Sequence, residues 1–182
     1  MEITETLYVT DREQWRAWLE AHHATAKEIW LISYRKGTDK PSVPYLDAVE
    51  EALCFGWIDG IAKTMDAERT AQRFTPRRPK SHWTELNKER ARRLIAAGKM
   101  TEAGEKTLPD LSPESFQIAP DIMAALQADP VTWQNFQAFP DLYKRIRISY
   151  IEETRRQPAV FEKRLANFLK KTRENKMFGG ML

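Results

Sequence analysis

The chain has 182 residues, of which 42% are hydrophobic and 30% charged, and its net charge is +3. That length fits one domain, or a compact domain with a helical extension, and the apolar content is ordinary for a globular protein with a single core. One cysteine, Cys54, excludes an internal disulfide, and no apolar run approaches the length of a membrane span.

The opening MEITETLYVTDREQW is acidic and has neither the basic nor the apolar region of a secretory signal, so the sequence reads as cytoplasmic and soluble. Thr10 and Glu13 predict a capping box that opens a helix over 11–23, with Trp15, Trp18 and Leu19 on one side. EIWLISYRK (28–36) predicts a strand followed by a turn at GTDKPSVP. Over 45–55, Leu46, Val49 and Leu53 with Ala48 and Ala52 form a helical stripe that ends at Gly56. Two strands, 57–65 and 70–75, follow around a polar turn at 66–69, and the prolines at 76 and 79 end the sheet.

Ser81 is the expected N-cap of a helix over 82–97, with Gly98 just past its end and a short helix near 101–107 beyond. Pro120, Pro130, Pro140 and Pro158 each fit the first turn of a later helix. In the last one, Phe161, Leu165, Phe168 and Leu169 face inward, and the tail KMFGGML is expected to fray. The elements predict an α+β fold: a small, mainly antiparallel sheet with helices over 1–112, then a helical region over 113–182 packed on it.

Charge is unevenly distributed. Residues 1–72 carry 8 Lys/Arg against 13 Asp/Glu, whereas 73–99 carry 9 against 2; 100–140 carry 1 against 6, and 141–182 carry 11 against 5. Two basic blocks divided by acidic ones form either a positive face for an anionic partner or the solvated sides of helices. The sharpest cluster is RFTPRRPKSHW, where Arg73, Arg77, Arg78 and Lys80 lie within eight residues, stiffened by Pro76 and Pro79. It leads into a helix start whose free N–H groups also favour anions, and guanidinium groups offer paired donors to phosphate or carboxylate. The competing reading pairs these arginines with the acidic residues of 1–72 and lets Trp83 pack.

GWIDG places Trp57 and Asp59 between Gly56 and Gly60, which suggests a close backbone approach or positive φ at both glycines. Asp59 needs a cationic partner if buried, and Lys63, Arg73 or an arginine of the PRRP turn can supply one. Trp57, Asp59 and the Arg77–Arg78 turn are expected to meet across the sheet edge and the start of the 82–97 helix, and with Arg73 they belong to the candidate ligand-binding set. Lys63, Lys80, His82, Trp83 and Asn87 complete the candidate ligand-binding set. His22 and His23 are adjacent and cannot share a metal as an i, i+4 pair does. No metal-ligand, phosphate-loop or activated-nucleophile motif occurs, so no cofactor, metal or catalytic residue is assigned.

LCFGWIDG (53–60) and RFTPRRPKSHWTELNKERARRLIAAGKMTEAG (73–104) resemble the YdeI/OmpD-associated family, also called bacteriocin-protection proteins. ALQADPVTWQNFQAFPDLYKRIRISYIEETRRQ and RLANFLKK resemble that family's C-terminal helical domain. The resemblance implies an N-terminal half like the small YjbR and frataxin folds. It also implies tolerance of bacteriocins or cationic antimicrobial peptides, and, through the family name, association with a porin.

Two functions are compatible with these residues. One is a non-enzymatic binding protein, without membrane insertion, whose basic and aromatic surface takes an anionic ligand or nucleic acid. The other is a small-molecule enzyme with a pocket around Trp57, Asp59, Arg73 and Trp83. Neither the ligand nor the oligomeric state is legible in the sequence.

Overall fold

Asp11, one residue after the predicted cap, starts the first helix: its side chain accepts from the Gln14 N–H at 2.9 Å. Gln14 returns the contact by accepting from the Thr10 N–H at 3.2 Å. The cap is therefore Asp11, with Gln14 reaching back to Thr10, and not a Thr10–Glu13 box.

A computed structural model of the chain describes residues 2–180, grouped into two units. One is the chain up to Ser81 with Arg90–Pro109, and the other is His82–Glu89 with the chain from Asp110 onward. In the first unit the order is β1 (Thr6–Leu7), α1 (Arg12–His22), β2 (Ile29–Tyr34), α2 (Tyr45–Cys54), β3 (Trp57–Thr64) and β4 (Arg69–Pro76). Helix α3 (Glu85–Ala96) begins in the second unit and finishes in the first, where α4 (Glu102–Glu105) follows. The fold is α+β, as the element order predicts. β1, which no alternation signals because it is only two residues long, adds a parallel edge to an otherwise antiparallel sheet of order β1-β2-β4-β3.

β2 reads as a nearly continuous apolar run because Ile29, Trp30, Leu31 and Ile32 are all buried. Opposite it, β4 alternates: Ala71 and Phe74 are buried, while Gln72 and Arg73 are half-buried. Trp15 of α1 packs on Phe74 with ring centroids 5.2 Å apart and stacks on Trp18 at 5.4 Å, and Trp18 meets Trp57 edge-on at 5.8 Å. The Trp15 and Trp57 indole N–H groups donate to the carbonyls of Ala48 and His23, so these rings are buried with their polar atoms satisfied. Helices α1 and α2 are further tied by Glu51, 2% exposed, which accepts from Arg12 and Arg16.

The PRRP turn ends differently from the prediction. Ser81 is not an N-cap. Lys80 takes a positive φ of 59°, and the Ser81 hydroxyl accepts from Arg77 at 3.3 Å. Thr84 is the cap, accepting from the Asn87 N–H at 3.1 Å, so α3 starts three residues late. Gly98, at φ 64°, terminates it as expected.

The second unit holds α5 (Pro120–Gln127), α6 (Pro130–Ala138), α7 (Asp141–Glu152) and α8 (Pro158–Arg173), preceded by a 3-10 turn at Pro113–Ser115. Proline occupies the first helical position of α5, α6 and α8, whereas Pro140 is the residue before α7. Ile122, Leu126, Phe136, Tyr143, Ile148 and Phe168 form the core, with Phe161, Leu165 and Leu169 of α8 packed against it. In the described part of the tail, Phe178 packs against this core and its N–H donates to the Tyr143 hydroxyl at 3.3 Å. The predicted fraying of residues 181–182 falls outside the described residues. Among the described residues, no helix is long and apolar enough to cross a membrane.

Candidate functional site

The turn from α2 into β3 needs a residue that tolerates positive φ, and Gly56 supplies it at φ 71°. Its carbonyl accepts from the Arg77 N–H at 2.8 Å, which brings the end of β4 back across the start of β3. A Cβ at Gly56 would lie 2.8 Å from the Ala103 carbonyl, so α4 passes close over this turn. Gly60 has no such role. It sits at the irregularity between Asp59 and Ala62, with ordinary φ, and a Cβ there would meet no atom nearer than 3.7 Å.

These three segments enclose a cleft of about 570 Å³. One wall is His23, Phe55, Trp57 and Pro76, with Arg77 at its edge; α4 and its flanks supply Thr101, Glu102, Lys106 and Thr107. Thr101 holds that second wall in place: its hydroxyl donates to the Cys54 carbonyl at 2.6 Å and accepts from the Gly104 N–H at 3.3 Å. Glu102 and Lys106 pair with each other at 2.7 Å on the open rim.

Arg77 is the unusual member. Its residue is only 7% exposed, and burial pulls the guanidinium down to about 10, opposed by the charge of Asp59. Asp59 itself accepts from the Tyr45 hydroxyl at 2.7 Å. Trp57, Asp59 and Arg77 thus converge in the first unit. Trp57 is a fully buried wall residue, and Asp59 acts on Arg77 through its charge.

Arg73 pairs with Glu28 at 2.8 Å, and strand alternation turns it to the opposite face of the sheet from Phe74 and Asp59. Lys63 lies 6.0 Å over the Trp30 ring. Arg78 and Lys80 are exposed on the turn. His82, Trp83 and Asn87 belong to the second unit, His82 exposed and Trp83 8% exposed. The start of α3 is not an open anion site either. The Glu85 N–H donates to the Ser149 hydroxyl at 3.2 Å, and the buried Glu85 carboxylate pairs with Lys88 at 2.9 Å.

Sequence reasoning missed Tyr45, His23, Phe55 and the α4 wall. Tyr45 was legible as the first residue of the α2 stripe, but its partner was not. The wall residues of 101–107 are distant in sequence from the Gly56 turn they approach, and no local pattern reports that. Cys54 lies beneath them as a buried thiol, pushed up to about 11 by burial and by Glu51. Among the described residues, no group of three or more His, Cys, Asp or Glu could hold a metal ion.

Residues 7–107 match the family described as a domain of unknown function, DUF8412. Residues 115–175 match the family described as bacteriocin-protection, YdeI or OmpD-associated. The two matches divide the chain where the sequence resemblance had joined it: the cleft lies within the first match and the bacteriocin-protection match lies in the helical segment. No curated protein and no solved structure matches the chain.

Proposed function

The chain belongs to the family of the domain of unknown function DUF8412 and carries a bacteriocin-protection, YdeI or OmpD-associated segment, and we propose that it is a non-enzymatic, cytoplasmic protein that binds a small anion in the Arg77 cleft. The observation that carries this reading is Arg77, a residue only 7% exposed that borders the cleft. A poorly solvated guanidinium attracts an anion more strongly than a solvated arginine does. Arg78 and Lys80, exposed on the adjoining turn, would draw anions toward the opening.

A small ligand suits this geometry better than nucleic acid does, because a polymer backbone tracks exposed cations and not one at the wall of a cleft. A lone buried cysteine fits a reducing compartment.

Titration of the full chain with pyrophosphate and, separately, with a single-stranded oligonucleotide tests the proposal by amide NMR. Saturable shifts at Gly56, Arg77 and Ala103 with pyrophosphate are the expected result. Shifts confined to Arg78 and Lys80, produced only by the oligonucleotide, would replace the cleft with an exposed nucleic-acid surface.

A further inference from the structure

The second unit contains a pocket of about 380 Å³ between α7 and α8, closed on one side by Phe178. This is within the roughly 300–1,000 Å³ typical of small-molecule sites. Its floor is apolar: Ile151 and Phe168 are each 1% exposed, and Val160 and Phe178 continue the surface. Three cations, Arg147, Lys163 and Arg164, line it, and among the described residues no acidic one does.

The two arginines are held in place. The Arg164 guanidinium lies 3.6 Å from the centroid of the Tyr150 ring and donates to the Tyr150 carbonyl. Arg147 lies 5.5 Å from the same centroid and 5.7 Å from that of Phe178, and it donates to the Gly180 carbonyl at 3.0 Å. Gly179 makes that approach feasible. It has a φ of 74°, and a Cβ there would lie 2.2 Å from the Arg147 Nη1.

Arg147 Nε is buried and has no hydrogen-bond partner among the described residues. None of the three cations forms an ion pair with a carboxylate among them. Glu153 lies within electrostatic reach of Arg147 and Arg164 but outside the wall. Positive charge held beside a buried apolar floor complements a molecule with one anionic end and one hydrocarbon end.

We propose that this pocket is a binding site for a monoanionic amphiphile, a carboxylate on a medium-length alkyl chain, with the chain on Ile151, Val160 and Phe168 and the carboxylate at Arg147 and Arg164. The volume suits one such chain, which favours a free acid over a lipid presented by a bilayer.

Isothermal titration of the full chain with sodium decanoate, below its micelle concentration, tests the site. Decyltrimethylammonium is the charge-reversed probe, and phosphatidylglycerol vesicles are the bilayer probe. One saturable site for decanoate is expected, weakened about tenfold in Arg164→Gln and abolished in Val160→Trp, which fills the pocket from an exposed position. The ammonium probe should not bind there. Lys163→Glu, at a solvent-facing position, should weaken decanoate without altering the melting temperature, and so keeps the test valid if another variant misfolds. Absent decanoate binding, equal binding of the ammonium probe, or binding to vesicles alone would overturn the proposal. Undiminished binding in a folded Val160→Trp protein would do so as well.

Discussion

The Tyr45 hydroxyl donates to the Asp59 carboxylate at 2.7 Å, joining the first turn of α2 to β3 at the residue whose charge also opposes the burial of Arg77. One carboxylate therefore serves two neighbours, a neutral phenol and a desolvated cation.

Tyr45 should ionise late. Its phenol is pushed up to about 12, first by burial and then by the bond to Asp59. The folded value lies above the ordinary 10.0, so this contribution to stability is complete below pH 10 and is lost as pH rises through 12. The difference in phenolate absorbance between wild type and Tyr45→Phe should show one tyrosine titrating near 12. A difference curve centred at 10 would remove the bond to Asp59 from the account.

Arg77 should behave in the opposite sense. Its folded value is depressed to about 10, so holding the charge costs stability at lower pH and the cost is relieved as pH rises above 10. Arg77→Met keeps the bulk but drops the charge and the bond to Ser81, so without ligand it is expected to unfold within about 1 kcal/mol of wild type. Arg77→Ala also leaves a cavity and should lose roughly 1–3 kcal/mol in denaturant unfolding. A Met variant that melts several degrees low would make Arg77 a structural residue. Anion affinity of the wild-type protein should also fall above pH 10, where an ordinary exposed arginine would still be charged.

Gly104→Ala should damage the cleft. A Cβ there would lie 2.3 Å from the Cys54 carbonyl, which is backbone and cannot move aside easily. The expected cost is about 1–3 kcal/mol by chemical denaturation, together with weaker anion binding, because α4 must lift off the turn at Gly56. Unchanged stability would show that α4 does not press on α2 there.

The cap assignment gives a cleaner contrast. Asp11→Ala should cost about 1 kcal/mol, while Glu13→Ala, on the exposed first turn, should change stability by about 0.5 kcal/mol or less. The reverse order would restore the Thr10–Glu13 box.

The α2 stripe and the β3–β4 hairpin were legible because alternation, turn residues and Gly56 all agree on them. The site was legible only in part. PRRP reads as exposed, since sequence cannot show that Arg77 turns under Gly56 while Arg78 turns outward. Arg73 carries the same charge four residues before Arg77, yet within β4 it turns to Glu28 on the face opposite Phe74, whereas Arg77 lies past the end of the strand. Ser81 and Thr84 are both acceptable caps by residue type, and the chain's turn at Lys80 decides between them.

The most direct test compares Arg77→Met with Arg78→Ala in titrations of the full chain with pyrophosphate at neutral pH and low salt. The cleft account predicts that Arg78→Ala binds within a few-fold of wild type and that Arg77→Met loses about tenfold or more. Binding by Arg77→Met equal to wild type, or a wild-type protein that does not bind the anion, would contradict it.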